Sequence, residues 1–324
     1  MELVACYGKK ELALVFVGRT SMGNEVEFVE SIQPPLSRNE KEVIIISTLV
    51  GCPVGCSMCD AGGFYGGKLT AKEMLEQIEY VVNFRFGGRK VPSKKFKIQF
   101  ARMGEPAFND AVIDVLDRLP EEFEAPGLLP SVSTIAPKGR EAFFERLYWI
   151  KERHYRGRFQ LQFSIHSTDL SQRDEIIPVP KWHLEKIAEY GKEFVKEGDR
   201  KITLNFALSK DNIVDPGIII KHFDPEKFLI KITPVNPTYS AKENGIVSGV
   251  DIFDNRLPHH PGLLEALEKS GYDVILSIGE LEENKIGSNC GQYVKKHLSS
   301  DMELFEAYSY NKMSLNENKS FSQP

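Results

Sequence analysis

The stretch STLVGCPVGCSMCDAGG, residues 47–63, holds three of the chain's five cysteines, Cys52, Cys56 and Cys59, within eight positions. It closes an apolar run, residues 43–49, that reads as a β-strand, and it precedes an amphipathic stretch, residues 70–83, that reads as a helix. An odd, sparse set of cysteines does not build a disulfide framework, and thiols clustered on one loop are better read as metal ligands. Such thiolates hold zinc or an iron–sulfur cluster. Structural zinc takes four protein ligands, and no second Cys pair or Cys/His pair supplies the fourth. Three cysteines on a 4Fe–4S cluster leave one iron open for a substrate or cofactor.

Around this loop, apolar strands alternate with amphipathic helices. Further strands are expected at residues 96–102, 131–135, 159–166, 201–208 and 228–234, each followed by a helical stretch, and a last one at 272–277. Six strand–helix pairs predict an α/β fold, a partial (β/α)6 barrel with parallel strands. Ahead of it, residues 12–32 read as two strands joined by a Gly-Asn turn, after which Pro34-Pro35 breaks the pattern. The expected organisation is an N-terminal β-hairpin element over residues 1–40, the barrel over 41–298, and a C-terminal helix with a polar, disordered tail over 299–324.

The 324 residues carry a net charge of -5, without the overall basic surface that nucleic-acid binding usually needs. Lys94-Lys95-Phe96-Lys97 reads as a solvated face. The start MELVACYGKKE lacks the layout of a signal peptide and the apolar runs are too short to cross a bilayer, so a cytoplasmic location is expected.

CxxxCxxC directly after the first barrel strand resembles the radical S-adenosylmethionine (SAM) superfamily. The resemblance implies that Cys52, Cys56 and Cys59 hold a 4Fe–4S cluster whose open iron chelates SAM, which is cleaved to methionine and a 5′-deoxyadenosyl radical. It also implies a SAM-binding role for Gly104 and Glu105 in "GEP" and for Ser133, Ser164, His166 and Asn236 at later strand ends. Each of these taken alone also reads as a cap or a satisfied polar residue. In their order, "STLVGCPVGCSMC", "MGEPAFN", "SVST", "FSIHS", "ITPVNP" and "GSNCGQY" are similar to the RlmN and Cfr family of adenosine methylases, over roughly residues 12–298. In that family the cysteine matching Cys290 is methylated by one SAM. The radical from a second SAM then takes hydrogen from the methyl group, and the methylene radical adds to an sp2 carbon of adenine. Cys290 is thereby read as a covalent catalyst, against the alternative of a buried structural thiol. A flavodoxin or ferredoxin type electron donor is implied as partner.

Three features depart from the family. Its second essential cysteine, seven residues before the first cluster ligand, is replaced by Ile45, whose alkyl chain can neither take a proton nor resolve a thioether. The N-terminal accessory domain of the ribosomal RNA methylases has no counterpart in the roughly 40 residues before the barrel. The basic stretch after the last strand is replaced by the acidic Glu280, Glu282 and Glu283, which would repel phosphates. These departures favour a small-molecule or nucleotide substrate over ribosomal RNA. RNA adenosine methylation, and a radical enzyme in which Cys290 donates hydrogen or binds substrate, stay as alternatives. Glu27, His166, Cys6 or an external thiol could replace the second cysteine. Glu27 itself reads as an exposed edge-strand charge, and Cys6 as incidental.

Overall fold

The computed structural model describes residues 1–289, 293, 304 and 307–313. Strands β1 (Glu2–Lys9), β2 (Ala13–Arg19) and β3 (Glu25–Ser31) form an antiparallel meander. β1 goes unread in the sequence because ELVACYGK alternates poorly and carries a glycine. β3 pairs antiparallel with β4 (Lys41–Ile46), Val29 opposite Ile45, so the meander continues into the main sheet. Glu27 therefore sits inside the sheet and is fully buried, not on an exposed edge.

The expected strand over 43–49 ends early. Gln77 accepts the Ser47 N–H (2.8 Å) and donates to the Ser47 carbonyl (3.0 Å), which takes both main-chain groups out of the ladder. The chain turns into β5 (Leu49–Gly51), which pairs antiparallel with β6 (Tyr65–Lys68) as a separate hairpin whose long loop carries the cysteines. Gly51 has φ +73°, and a Cβ there would stand 2.3 Å from the Phe64 carbonyl oxygen, so the hairpin closes only with glycine.

Helix α1 (Ala71–Phe86) follows, started by a capping box between Thr70 and Glu73 and stopped by Gly87 at φ +69°. The chain then alternates through β7 (Lys95–Phe100), α2 (Ala111–Glu122), β8 (Leu128–Thr134), α3 (Glu141–His154), β9 (Gln160–Ser164), α4 (Leu170–Ile176), α5 (Leu184–Phe194), β10 (Ile202–Leu208), α6 (Pro216–His222), β11 (Phe228–Pro234), α7 (Tyr239–Glu243), α8 (Leu263–Lys269), β12 (Val274–Leu276) and α9 (Leu281–Ile286). β4, β7, β8, β9, β10, β11 and β12 are parallel neighbours in that order, the curved wall of a partial barrel.

The two faces of this wall have opposite chemistry. Ile44, Ile98, Phe100, Phe163, Leu204 and Ile230 point outward and are fully buried under the helices, each contributing ~1.5–3 kcal/mol. Alternate residues, among them Ile45, Gln99, Ser133, Ser164 and Lys231, point inward and stay partly open. A second, smaller core lies on the inner side of β1–β3, where Tyr7, Val15 and Val29 meet Tyr239, Ile286, Tyr293 and Tyr308. No helix among the described residues is long and apolar enough to cross a membrane.

Candidate active site

The cysteine loop is fixed from three sides. The Cys52 N–H donates to the Phe64 carbonyl (3.0 Å), Ser57 N–H to the Ile176 carbonyl at the end of α4 (3.0 Å), and Cys59 N–H to the Cys56 carbonyl (3.0 Å). Asp60, directly after the last cysteine, is buried and accepts from the main-chain N–H groups of Tyr239 (3.1 Å) and Ser240 (2.8 Å) and from the Tyr308 hydroxyl (2.7 Å). That carboxylate welds the loop to α7, a role with no sequence signal beyond its position.

All three thiols are half-buried, and Cys52 and Cys56 pack against Val54, Ile135 and Ile176. Main-chain N–H groups of Val54, Gly55 and Glu105 point at the Cys52 sulfur and favour its thiolate, but burial outweighs them and pushes the thiol up to about 11. Burial pushes Cys56 up as well, and the neighbouring Cys59 and Cys52 add to it. Thiols that hinder one another's ionisation in a half-buried loop suit a strongly cationic ligand that would draw the protons off. Among the described residues no three His, Cys, Asp or Glu side chains are gathered to hold a single metal ion. A multi-iron cluster reaches each thiolate through its own iron and needs no such gathering.

The strand ends adjoin this loop. Gly104 has φ +97°, with Leu49 packed where its Cβ would be, 2.5 Å away. Glu105 caps the short turn Pro106–Phe108 and accepts from Ala107 N–H (2.9 Å), Ile135 N–H (2.9 Å) and the Thr134 hydroxyl. Both of its oxygens are engaged in joining the end of β7 to that of β8, and burial still raises its pKa to about 7. Ser133 and Ser164 look into the barrel, Ser133 accepting from the Gln162 amide at 3.3 Å. His166 instead forms a buried corner at φ +64°, its Nδ1 accepting from Ala207 N–H at 3.0 Å, and burial holds its pKa down to about 4, so the ring is neutral. Asn236 is half-buried, and its carbonyl accepts from Thr238 N–H at 2.8 Å. Asn205 was not singled out in the sequence: it lies on β10 in register with Ser164 and Lys231, and its carboxamide oxygen is buried with no hydrogen-bond partner among the described residues.

Cys290 lies outside the described residues, but its approach is fixed. Arg102, buried just beyond the end of β7, donates to the carbonyls of Gly287 (2.9 Å) and Ser288 (3.1 Å) and pairs with the buried Glu27 at 3.1 Å. On the far side, Tyr293 stacks on Tyr7 with ring centroids 3.8 Å apart. Ile45 faces the same cluster as Tyr293 and Ile286. Cys6 points the other way, into the outer core beside Met313, and burial pushes its thiol up to about 12. The acidic residues after β12 are not a bare negative patch: Glu282 pairs with Lys9 (3.3 Å) and Tyr310, and Glu283 accepts from Ser31 (3.1 Å) and Ser288 (3.4 Å).

No family model matches the chain. It is 27% identical over 270 residues to the "Probable dual-specificity RNA methyltransferase RlmN" of Prochlorococcus marinus, covering 80% of this chain and 73% of that protein. It is 26% identical over 259 residues to the "Dual-specificity RNA methyltransferase RlmN" of Wolinella succinogenes, covering 78% and 70%. A radical SAM methyltransferase from Sphaerobacter thermophilus superposes on 90% of this chain and 80% of its own with a TM-score of 0.66 at 20% identity. The chain resembles RlmN in sequence and has the fold of a radical SAM methyltransferase.

That resemblance implies a 4Fe–4S cluster and SAM as cofactors, and the residues fit both. The chain presents three half-buried thiols on one pinned loop, and beside it a turn of main chain at Gly104. Ser133 and Ser164 on the inner wall, with the orphaned Asn205 oxygen, offer polar partners to a ligand's hydroxyl or amino groups.

Proposed function

We propose that this enzyme methylates an sp2 carbon of a small, nucleotide-class substrate, with Cys290 carrying the methyl group as a thioether. One observation carries the reading. The segment 102–105 touches both halves of the required site: Glu105 directs its N–H at the Cys52 sulfur, and Arg102 holds the carbonyls two and three residues ahead of Cys290.

When bound, the cluster and SAM supply the 5′-deoxyadenosyl radical. Cys52, Cys56 and Cys59 would hold the cluster, while Gly104, Glu105, Ser133, Ser164 and Asn236 shape the wall beside it. Arg102 and Glu27 fix the approach to Cys290, and their burial keeps water from the pair. Of the groups that could take over from the cysteine missing at Ile45, Cys6 is on the wrong face of the sheet and His166 is committed to the β10 backbone. Glu27, on the inner face, and an external thiol are left. A flavodoxin or ferredoxin type donor in the cytoplasm belongs to the same reading.

RNA adenine is the second reading, favoured by the names of the relatives and by the engaged state of Glu282 and Glu283. Product analysis of anaerobically reconstituted enzyme tests the proposal. S-adenosylhomocysteine and 5′-deoxyadenosine are expected together. 5′-Deoxyadenosine alone would exclude methyl transfer and leave Cys290 as hydrogen donor or substrate ligand.

A further inference from the structure

Behind the apolar group that Cys52 and Cys56 pack against stands a buried cation without a carboxylate partner. Arg173 lies on α4, three residues before Ile176, and is 2% exposed. Its guanidinium donates to the carbonyls of Trp182 (2.7 Å) and Ile135 (3.5 Å). Among the described residues its Nε has no hydrogen-bond partner and its charge forms no ion pair. Two contacts set it against the thiol loop. Ile135, whose carbonyl it holds, belongs to the apolar group beside Cys52 and Cys56, and the Ile176 carbonyl accepts from Ser57 N–H, between Cys56 and Cys59. Lys181 adds a second buried cation: it donates to the carbonyls of Ile177 (2.8 Å) and Val179 (3.4 Å) and pairs with Asp174, whose side chain is mostly exposed. Asp174 is also the acidic group that Arg173 feels, His183 beside it is exposed, and His166, which feels Arg173 as a like charge, is neutral. On the thiol side the acidic group is Glu105, felt by both Cys52 and Cys56.

We propose that Arg173 raises the reduction potential of the cluster held by Cys52, Cys56 and Cys59, its charge acting across the layer of Ile135 and Ile176. The inference rests on the cluster reading. Arg173 touches none of the thiols; it is a positioning residue that keeps a positive charge behind them. A guanidinium stays charged at neutral pH, and an apolar layer screens its field far less than water does. Reduction takes one electron from an external donor onto a site that already bears three thiolates and the Glu105 carboxyl. A fixed cation stabilises that added charge, and net charge is one of the main controls on iron–sulfur potentials. Exposed Asp174 opposes it mainly through water, so its effect is smaller.

Dithionite titration of the reconstituted full chain at low ionic strength, without SAM or substrate, reads the potential apart from turnover when followed by the paramagnetic resonance of the reduced cluster. Arg173→Met is expected to lower the potential by about a tenfold change in the reduction equilibrium, ~59 mV for a one-electron couple. Arg173→Lys, which keeps the charge, should retain most of the parent potential. Asp174→Asn, a surface change, should raise the potential by about twofold in the same equilibrium. Water entering a disturbed wall would favour the more negative, reduced state and raise the potential, so the sign in Arg173→Met separates charge from a structural role. A potential in Arg173→Met equal to or above the parent's, a fall in Arg173→Lys as large as in Arg173→Met, or no rise in Asp174→Asn would overturn the proposal. Should Arg173→Met take up no iron, the Asp174→Asn result decides alone. A parent chain that takes up no iron would overturn the cluster reading and this inference with it, whereas a loaded cluster with an unmoved potential overturns this inference only.

Discussion

Arg102 and Glu27 are both removed from water, and their 3.1 Å contact is accompanied by two further bonds from Arg102 to main-chain carbonyls. Breaking such a pair leaves an uncompensated charge, which costs ~3–5 kcal/mol. Arg102→Met should lower the melting temperature accordingly, and Glu27→Gln in the same chain should recover part of the loss; a single change with no effect on melting would refute the pairing. Lys97 behaves oppositely. Its folded pKa lies near 7, below the ordinary 10.5, so across that window the unfolded chain binds more protons than the folded one and stability rises with pH. Below pH 7 the penalty is complete. Lys97→Met should therefore be more stable than the parent, by ~1–2 kcal/mol at about pH 6, with the gain fading toward pH 10. Thermal melts across that range check both sign and window. At this scale the sequence is least legible: Glu27 read as exposed and Lys97 as solvated, because charge alone does not say which way a strand turns a side chain.

At the scale of elements, the β5–β6 hairpin decides whether the cysteines are presented at all. Gly51 and Gly55 both have positive φ, but only Gly51 has a carbonyl in the way of a Cβ, 2.3 Å off, whereas Gly55 faces open space. Gly51→Ala should abolish hairpin closure and cluster loading, measured as iron per chain after reconstitution. Gly55→Ala should cost ~1 kcal/mol and retain most of its iron. Equal iron in both would show that the loop holds its shape without the hairpin. The parallel strands and α1 were legible from period: 228–234 was read in full, and the helix expected over 70–83 is α1. The hairpin was not, since its residues continue an apolar run and the turn-off at Ser47 depends on Gln77, 30 residues away.

Across the whole molecule, one segment, 102–105, joins the thiol loop to the approach of Cys290, and the Tyr7–Tyr293 stack ties the far side of that approach to the first strand. The site's chemistry was legible because CxxxCxxC concentrates it in eight residues; its supports, Arg102, Asp60 and Asn205, were not, because each acts through tertiary neighbours far apart in sequence. Tyr293→Ala should slow methyl loading of Cys290 more than it slows 5′-deoxyadenosine formation, a split that a general loss of stability would not give. The central claim is the methyl carrier itself. Reduced, reconstituted enzyme incubated with SAM bearing a deuterated methyl group, then digested for peptide mass spectrometry, should carry that methyl on Cys290. Formation of 5′-deoxyadenosine with Cys290 left unmodified would contradict it.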